Sequence, residues 1–194
     1  MLTFVNSSAI IGSMSKSAKV LNLYALNEEN EKMAITEFLE RNAREYPNDI
    51  CLVEINPEIK EDRRVTWKEY ELIESNSPTY YRREITWAVF NEKANRLANM
   101  LMQNGIGKGK KVAILLMNCI DWLPIYFGIL KTGAVVAPMN FRFSADEIKY
   151  CLELSESDVL IFGPEFISRI NAVKDTLTGV REFIFVGNRK DCPE

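Results

Sequence analysis

The chain of 194 residues contains no histidine. That absence alone removes Ser-His-Asp and Cys-His nucleophilic catalysis and every histidine-ligated metal site. Cysteine is sparse as well. Cys51, Cys119, Cys151 and Cys192 lie far apart with no Cys-x-x-Cys pair, so neither a metal knuckle nor a dithiol redox centre is expected. Such cysteine usage fits a reduced, cytoplasmic setting. No uninterrupted apolar run approaches the roughly 20 residues needed to cross a bilayer. The opening MLTFVNSSAIIGS has no basic start, and Asn6, Ser7 and Ser8 break its apolar run, unlike a secretory signal. Basic residues are not in surplus either. Lys and Arg total 24 against 27 Asp and Glu, a net charge of −3 with no basic block, so no nucleic-acid partner is expected.

What is present is a core. With 47% hydrophobic side chains, the chain can bury one domain or a large piece of one. Residues 1–30 are expected to form a poorly ordered N-terminal extension. From about Lys32, Ile35, Phe38, Leu39 and Ala43 recur at helical spacing, and Tyr46-Pro47-Asn48-Asp49 ends the pattern. Ile50 to Ile55 reads as a strand closed by Asn56-Pro57, and Glu58 to Arg64 as a surface loop.

Two segments then echo one another. Val65-Thr66-Trp67 and Ile85-Thr86-Trp87 each read as a short strand turning into a helix, with Thr66 and Thr86 as candidate N-caps. After the second copy, Ala94, Leu97, Ala98, Leu101 and Met102 form one helical stripe, and Gly105 is placed for a left-handed C-cap. Val112 to Leu116 is almost wholly apolar, the mark of a strand buried on both faces. A helix over Trp122 to Lys131 follows, capped by Asn118 or Asp121, with Pro124 tolerated only near its first turn. Ala134 to Ala137 is another buried strand, and Ser144-x-x-Glu147 is a capping box opening a helix to Leu154. Val159 to Phe162 and Glu182 to Val186 complete the strands. This alternation predicts an α/β fold with a parallel-rich sheet covered by helices.

Four groups of residues invite a functional reading. Gly105-Ile106-Gly107-Lys108-Gly109-Lys110-Lys111 could cradle a phosphate, but it leaves a helix and enters a strand, the reverse of a phosphate loop. A helix C-cap and solvated turn is the expectation. Trp87, Trp122, Tyr126 and Phe127 could line an acyl or aryl pocket, although their helical spacing favours core packing. Asn140 and Arg142 follow a buried strand, where open α/β sheets place ligand loops. Arg142 could grip a carboxylate or phosphate, or Asn140 could simply organise the turn while Arg142 pairs with Asp146 or Glu147. The carboxylate pairs Glu28/Glu29 and Asp146/Glu147 have no apolar surroundings and read as surface groups.

Three blocks, in order and spacing, carry a family resemblance: Ile85-Thr86-Trp87 with its helix, the Gly105 to Leu116 turn and strand, and Leu130-Lys131-Thr132-Gly133-Ala134-Val135-Val136-Ala137-Pro138-Met139-Asn140. Together they make the chain resemble, from Ala34 to Val186, the N-terminal part of the AMP-forming acyl-CoA synthetases, the adenylate-forming family. The first strand-to-helix echo, at Val65, departs from that pattern. The resemblance implies the N-terminal portion of the family's large domain over residues 31–194, stopping before the phosphate loop. It implies a parent enzyme that activates a carboxylic acid, by default a fatty acid, with ATP and Mg²⁺ and transfers it to coenzyme A. It also implies partners: the remainder of the adenylating domain and a mobile C-terminal domain.

No segment resembles the family's Thr-Ser-Gly-Thr-Thr-Gly-like loop, so this sequence offers no N–H cradle for a triphosphate. No catalytic, cofactor-binding or metal-binding role of the family falls on a residue of this chain, which is expected to be inactive alone and to hold no cofactor. Two other readings compete. One is a non-catalytic interaction module that keeps the fold and docks a partner along a sheet edge. The other is an unrelated doubly wound nucleotide-binding domain, disfavoured because no Gly-x-Gly-x-x-Gly follows a strand.

Overall fold

A computed structural model describes residues 33–55, 82–188, 190 and 192. The expectations for residues 1–30 and for the Val65-Thr66-Trp67 echo lie outside those described residues. The chain divides into two compact units, Met1–Phe38 and Leu39–Glu194. In the first, the Glu37 carboxylate accepts from the Ala34 amide at 3.2 Å and starts a helix.

The elements, in chain order, are α1 (Ile35–Glu45), β1 (Ile50–Ile55), β2 (Arg82–Thr86), α2 (Trp87–Gln103), β3 (Lys111–Leu115), α3 (Trp122–Lys131), β4 (Val135–Pro138), α4 (Ala145–Ser155), β5 (Val159–Phe162), α5 (Ile167–Asn171) and β6 (Glu182–Phe185). Strands β1 and β2 pair antiparallel. The other four form one parallel sheet in the order β4-β3-β5-β6. The expected parallel sheet with helical cover is what the chain builds.

Alternation along the central strands divides the core into two layers. Val112, Ile114, Val159 and Ile161 face α2 and α3, packing with Leu101, Ile125 and Ile129. Ala113, Leu115, Leu160 and Phe162 face the other way, onto Ile148, Leu152, Phe166 and Ile170 of the α4–α5 side. Val112 to Leu115 are fully buried, so β3 is covered on both faces, as its unbroken apolar run predicts.

Local chemistry sets the helix ends. Thr86 Oγ1 accepts from the Val89 amide at 3.4 Å and caps α2. Gly105, at φ +76°, lets the chain leave α2: the Gly105 amide bonds Met102 O at 3.0 Å and the Ile106 amide bonds Leu101 O at 2.9 Å. This is the Schellman arrangement, with Ile106 returning into the core beside Leu101. Ser144 and Glu147 form the expected capping box at α4. At α3, Asp121 holds the N-cap position but bonds a lysine of α2 instead of the helix amides.

One close approach was not signalled by any motif. A Cβ on Gly128 of α3 would lie 3.0 Å from Ala94 O and from the Leu97 side chain, so α2 and α3 touch there through backbone.

Candidate functional site

Strand order locates the site. From β3 the chain passes through α3 to β4 on one side, then through α4 back across β3 to β5 on the other. The carboxyl ends of β3 and β5 therefore flank the point where the winding reverses, the place where open α/β sheets form a ligand crevice. A crevice of about 420 Å³ lies there. Leu116, Met117 and Cys119 follow β3 into it, Gly163 and Glu165 follow β5, and Asn188 follows β6.

Two ion pairs flank this crevice. Lys93 of α2 donates to Asp121 Oδ1 at 2.7 Å, and Arg83 of β2 approaches Glu54 of β1 at 3.4 Å. Cys119 is pushed above the ordinary thiol range, chiefly by burial and further by the carboxylates of Asp121 and Glu54, against backbone hydrogen bonds that lower it. Its surroundings favour the protonated thiol over the thiolate. Cys51 behaves alike. Burial raises it to about 11, and its thiol donates to Ile85 O at 3.4 Å.

The candidates from the sequence go elsewhere. Asn140 Oδ1 accepts from the Arg142 amide at 2.9 Å, and its carbonyl accepts from Phe143 N at 3.1 Å, so Asn140 organises the turn after β4. The Arg142 guanidinium sits 5.1 Å from the centre of the Phe141 ring. Arg169 of α5 pins the same turn, donating to Phe141 O at 2.9 Å and Phe143 O at 2.8 Å. Nothing local marks Arg169, because its partners are carbonyls far off in sequence.

The glycine–lysine stretch lies at the opposite, amino-terminal end of the sheet. There Lys110 Nζ and the Lys111 amide both donate to Asp158, at 2.9 and 3.0 Å, and Lys111 Nζ donates to Glu156 at 2.6 Å. The charges of Lys110 and Lys111 are spent on structure, in keeping with the expected cap and turn. The aromatics pack helices on the sheet. Phe90 meets Phe127 edge-on at 5.3 Å, while Trp122 stacks on Tyr126 at 5.3 Å, each group against its own buried cluster. Glu147 is held below the usual carboxylate range by the Ser144 amide and hydroxyl, as a cap and not as an acid catalyst.

Among the described residues, no group of three or more Cys, Asp and Glu side chains is placed to hold a metal ion. No described helix is long and apolar enough to cross a membrane.

A parallel sheet wound in this order, with the three sequence blocks seated at α2, β3 and β4, is the opening architecture of an adenylate-forming ligase. The family comparison agrees: residues 39–190 match the family of AMP-binding enzymes, and the chain belongs to that family. Among curated proteins it is 38% identical, over 90 residues, to the long-chain-fatty-acid–CoA ligase FadD13 of Mycobacterium tuberculosis, a match covering 46% of this chain and 18% of that protein. It is 33% identical, over 108 residues, to a medium/long-chain-fatty-acid and 3-oxocholest-4-en-26-oate CoA ligase of Mycobacterium marinum, covering 56% and 20% respectively. The chain thus spans about a fifth of the length of these relatives.

Solved structures agree in fold. The N-terminal domain of FACL13 from Mycobacterium tuberculosis superposes with a TM-score of 0.52 at 34% identity, over 54% of this chain and 27% of that one. A long-chain-fatty-acid–CoA ligase, FadD1, from Archaeoglobus fulgidus reaches 0.65 over 82% of this chain and 28% of that one; at 18% identity it bears on the fold alone.

Proposed function

We propose that this chain serves as the N-terminal portion of an acyl-CoA ligase, one that activates a carboxylic acid, by default a fatty acid, with ATP and Mg²⁺ and then transfers the acyl group to coenzyme A. The observation that carries the reading is the family match over residues 39–190, joined to relatives whose names are fatty-acid–CoA ligases. Residues 31–194 are then a partial adenylation domain. They supply a packed α/β core, and at the winding reversal a crevice faces whatever else the ligase brings there.

Adenylate formation displaces pyrophosphate, whose charge must be met by fixed N–H donors and cations as it develops. The sequence has no Gly/Ser/Thr-rich loop to provide them. In this reading that chemistry belongs to segments of the ligase outside these 194 residues, and the chain alone does not form adenylate. The setting is cytoplasmic.

Two measurements test the proposal. Acid-dependent ATP–pyrophosphate exchange is expected to be absent from the purified chain, and its detection would overturn the division of labour. The reading frame downstream of the Glu194 codon is expected to run into a Gly/Ser/Thr-rich loop. A stop codon, with no complementary half nearby, would contradict the assignment to a ligase.

A further inference from the structure

Where α2 ends, Asn104 and Gly105 form the one Asn-Gly pair of the sequence. A glycine nitrogen is the main-chain nucleophile least shielded by its own residue, because no Cβ stands over it. Next to an asparagine it can attack the side-chain amide carbon, a reaction that makes asparagine thermally labile. Asn104 is exposed, and its side-chain amide has no hydrogen-bond partner among the described residues. A Cβ on Gly105 would find nothing within 4 Å, so the pair is open to water.

The cap of α2 nevertheless holds the reacting atoms apart. Asn104 sits at φ −88° and ψ 13°, which leaves the Gly105 nitrogen nearly eclipsed with the Asn104 nitrogen and turned away from Cβ. Closing a succinimide ring through Cβ and Cγ requires rotation about the Asn104 Cα–C bond. That rotation breaks both bonds of the cap, from the Gly105 amide to Met102 O at 3.0 Å and from the Ile106 amide to Leu101 O at 2.9 Å. It also draws Ile106, only 5% exposed, away from Leu101 in the core.

We propose that Asn104 is a deamidation site gated by the C-cap of α2, protected while the cap is closed and converted to aspartate or isoaspartate when it opens. In the open form the Gly105 nitrogen bonds Cγ, the Cγ–Nδ2 bond breaks, and the Gly105 amide proton leaves with the Nδ2 amino group as ammonia. Water then adds to either carbonyl carbon of the ring and reopens it. Aspartate puts a negative charge where the helix dipole is already negative. Isoaspartate lengthens the main chain by one atom, so the two Schellman bonds no longer close across it. Both products weaken the cap, and an opening that has led to reaction is not reversed.

Incubation of the purified chain in mildly alkaline buffer, followed by peptide mass spectrometry over a time course, tests this. In the folded chain Asn104 is expected to deamidate before Asn91, Asn95 and Asn99 of the same helix, which precede Glu92, Arg96 and Met100. It should still react about tenfold or more slowly than in the chain unfolded by urea, because only the open fraction is reactive. Ile106→Val trims the contact that closes the cap and should speed the folded-state reaction several-fold. Ile170→Val, in the layer on the far face of the sheet, should leave the rate unchanged. Equal rates in folded and unfolded chains, an Asn104 no faster than the other three asparagines, or the same rate in both variants would each overturn the inference.

Discussion

Lys110 Nζ donates to Asp158 Oδ1 at 2.9 Å, while the other carboxylate oxygen accepts the Lys111 amide at 3.0 Å. The Asp158 backbone extends the same link: its amide bonds Lys111 O and its carbonyl accepts from the Arg181 amide, both at 2.8 Å. One residue thus fastens the amino ends of β3, β5 and β6. Burial alone would raise the Asp158 carboxyl, but Lys110, the Lys111 amide and the Arg181 charge together hold it below its ordinary value. A carboxylate depressed in the folded state stabilises the fold above its unfolded pKa, and the contribution fades as pH falls through the folded one.

Asp158→Asn is therefore expected to cost about 1–3 kcal/mol near neutral pH, the scale for a charged hydrogen-bond partner removed from a largely buried site. The gap from wild type should begin to narrow as pH falls past the ordinary aspartate value and close only when the depressed carboxyl of the folded wild type protonates as well. Urea unfolding of both proteins at several pH values measures this. A constant gap across the range would contradict it.

At Gly128, a methyl group has no room against Ala94 O and Leu97. Gly128→Ala gains helix propensity but must push α2 and α3 apart, and Gly128→Val more so. A net loss of about 1–3 kcal/mol is expected for valine, read as a lower urea midpoint. An unchanged midpoint would mean that the helices separate freely.

Thiol reactivity should follow burial. Cys192 is exposed, whereas Cys51 and Cys119 are buried enough to hold their protons well above neutral pH. Iodoacetamide near pH 8 is expected to alkylate Cys192 much faster than Cys51 or Cys119, since only the thiolate reacts. Peptide mass spectrometry over a time course gives the order, and early labelling of Cys119 would count against the geometry at the crevice.

Arg169→Ala should loosen the turn after β4 without unfolding the sheet. It removes two charged hydrogen bonds to Phe141 O and Phe143 O, and a loss of about 1–2 kcal/mol is expected. Hydrogen exchange should quicken at residues 141–143 before it changes in β3. Arg169→Lys, which keeps the charge but not the planar fork, is expected to recover only part of the loss.

Much of the fold was legible because its signals are local. The unbroken apolar run at Val112 announces a doubly covered strand, Thr86 and Ser144 announce helix starts, and Gly105 announces a helix end. Each depends on residues within a turn or two of one another, where spacing alone fixes the geometry. The family followed from three such blocks taken in order. Asn140, by contrast, could be read as ligand contact or as turn, and only the tertiary structure showed its bond to the Arg142 amide in the turn.

The crevice was not legible in the same way. Leu116 and Gly163 share it although two strands, two helices and their turns separate them in sequence, and Lys93 finds Asp121 across 28 positions. Which strand lies beside which depends on how helices of two layers pack, and no local period encodes that choice. The sequence by itself therefore determined most of the elements, the helix ends at Thr86, Gly105 and Ser144, and the family to which the chain belongs. Tertiary structure alone decided the order β4-β3-β5-β6, the position of the crevice at the reversal, and the assignment of Lys110 and Lys111 to Asp158 and Glu156. The physical reason is that caps and periodicity are short-range constraints, whereas ion pairs and crevices form only when packing brings distant segments within a few ångströms.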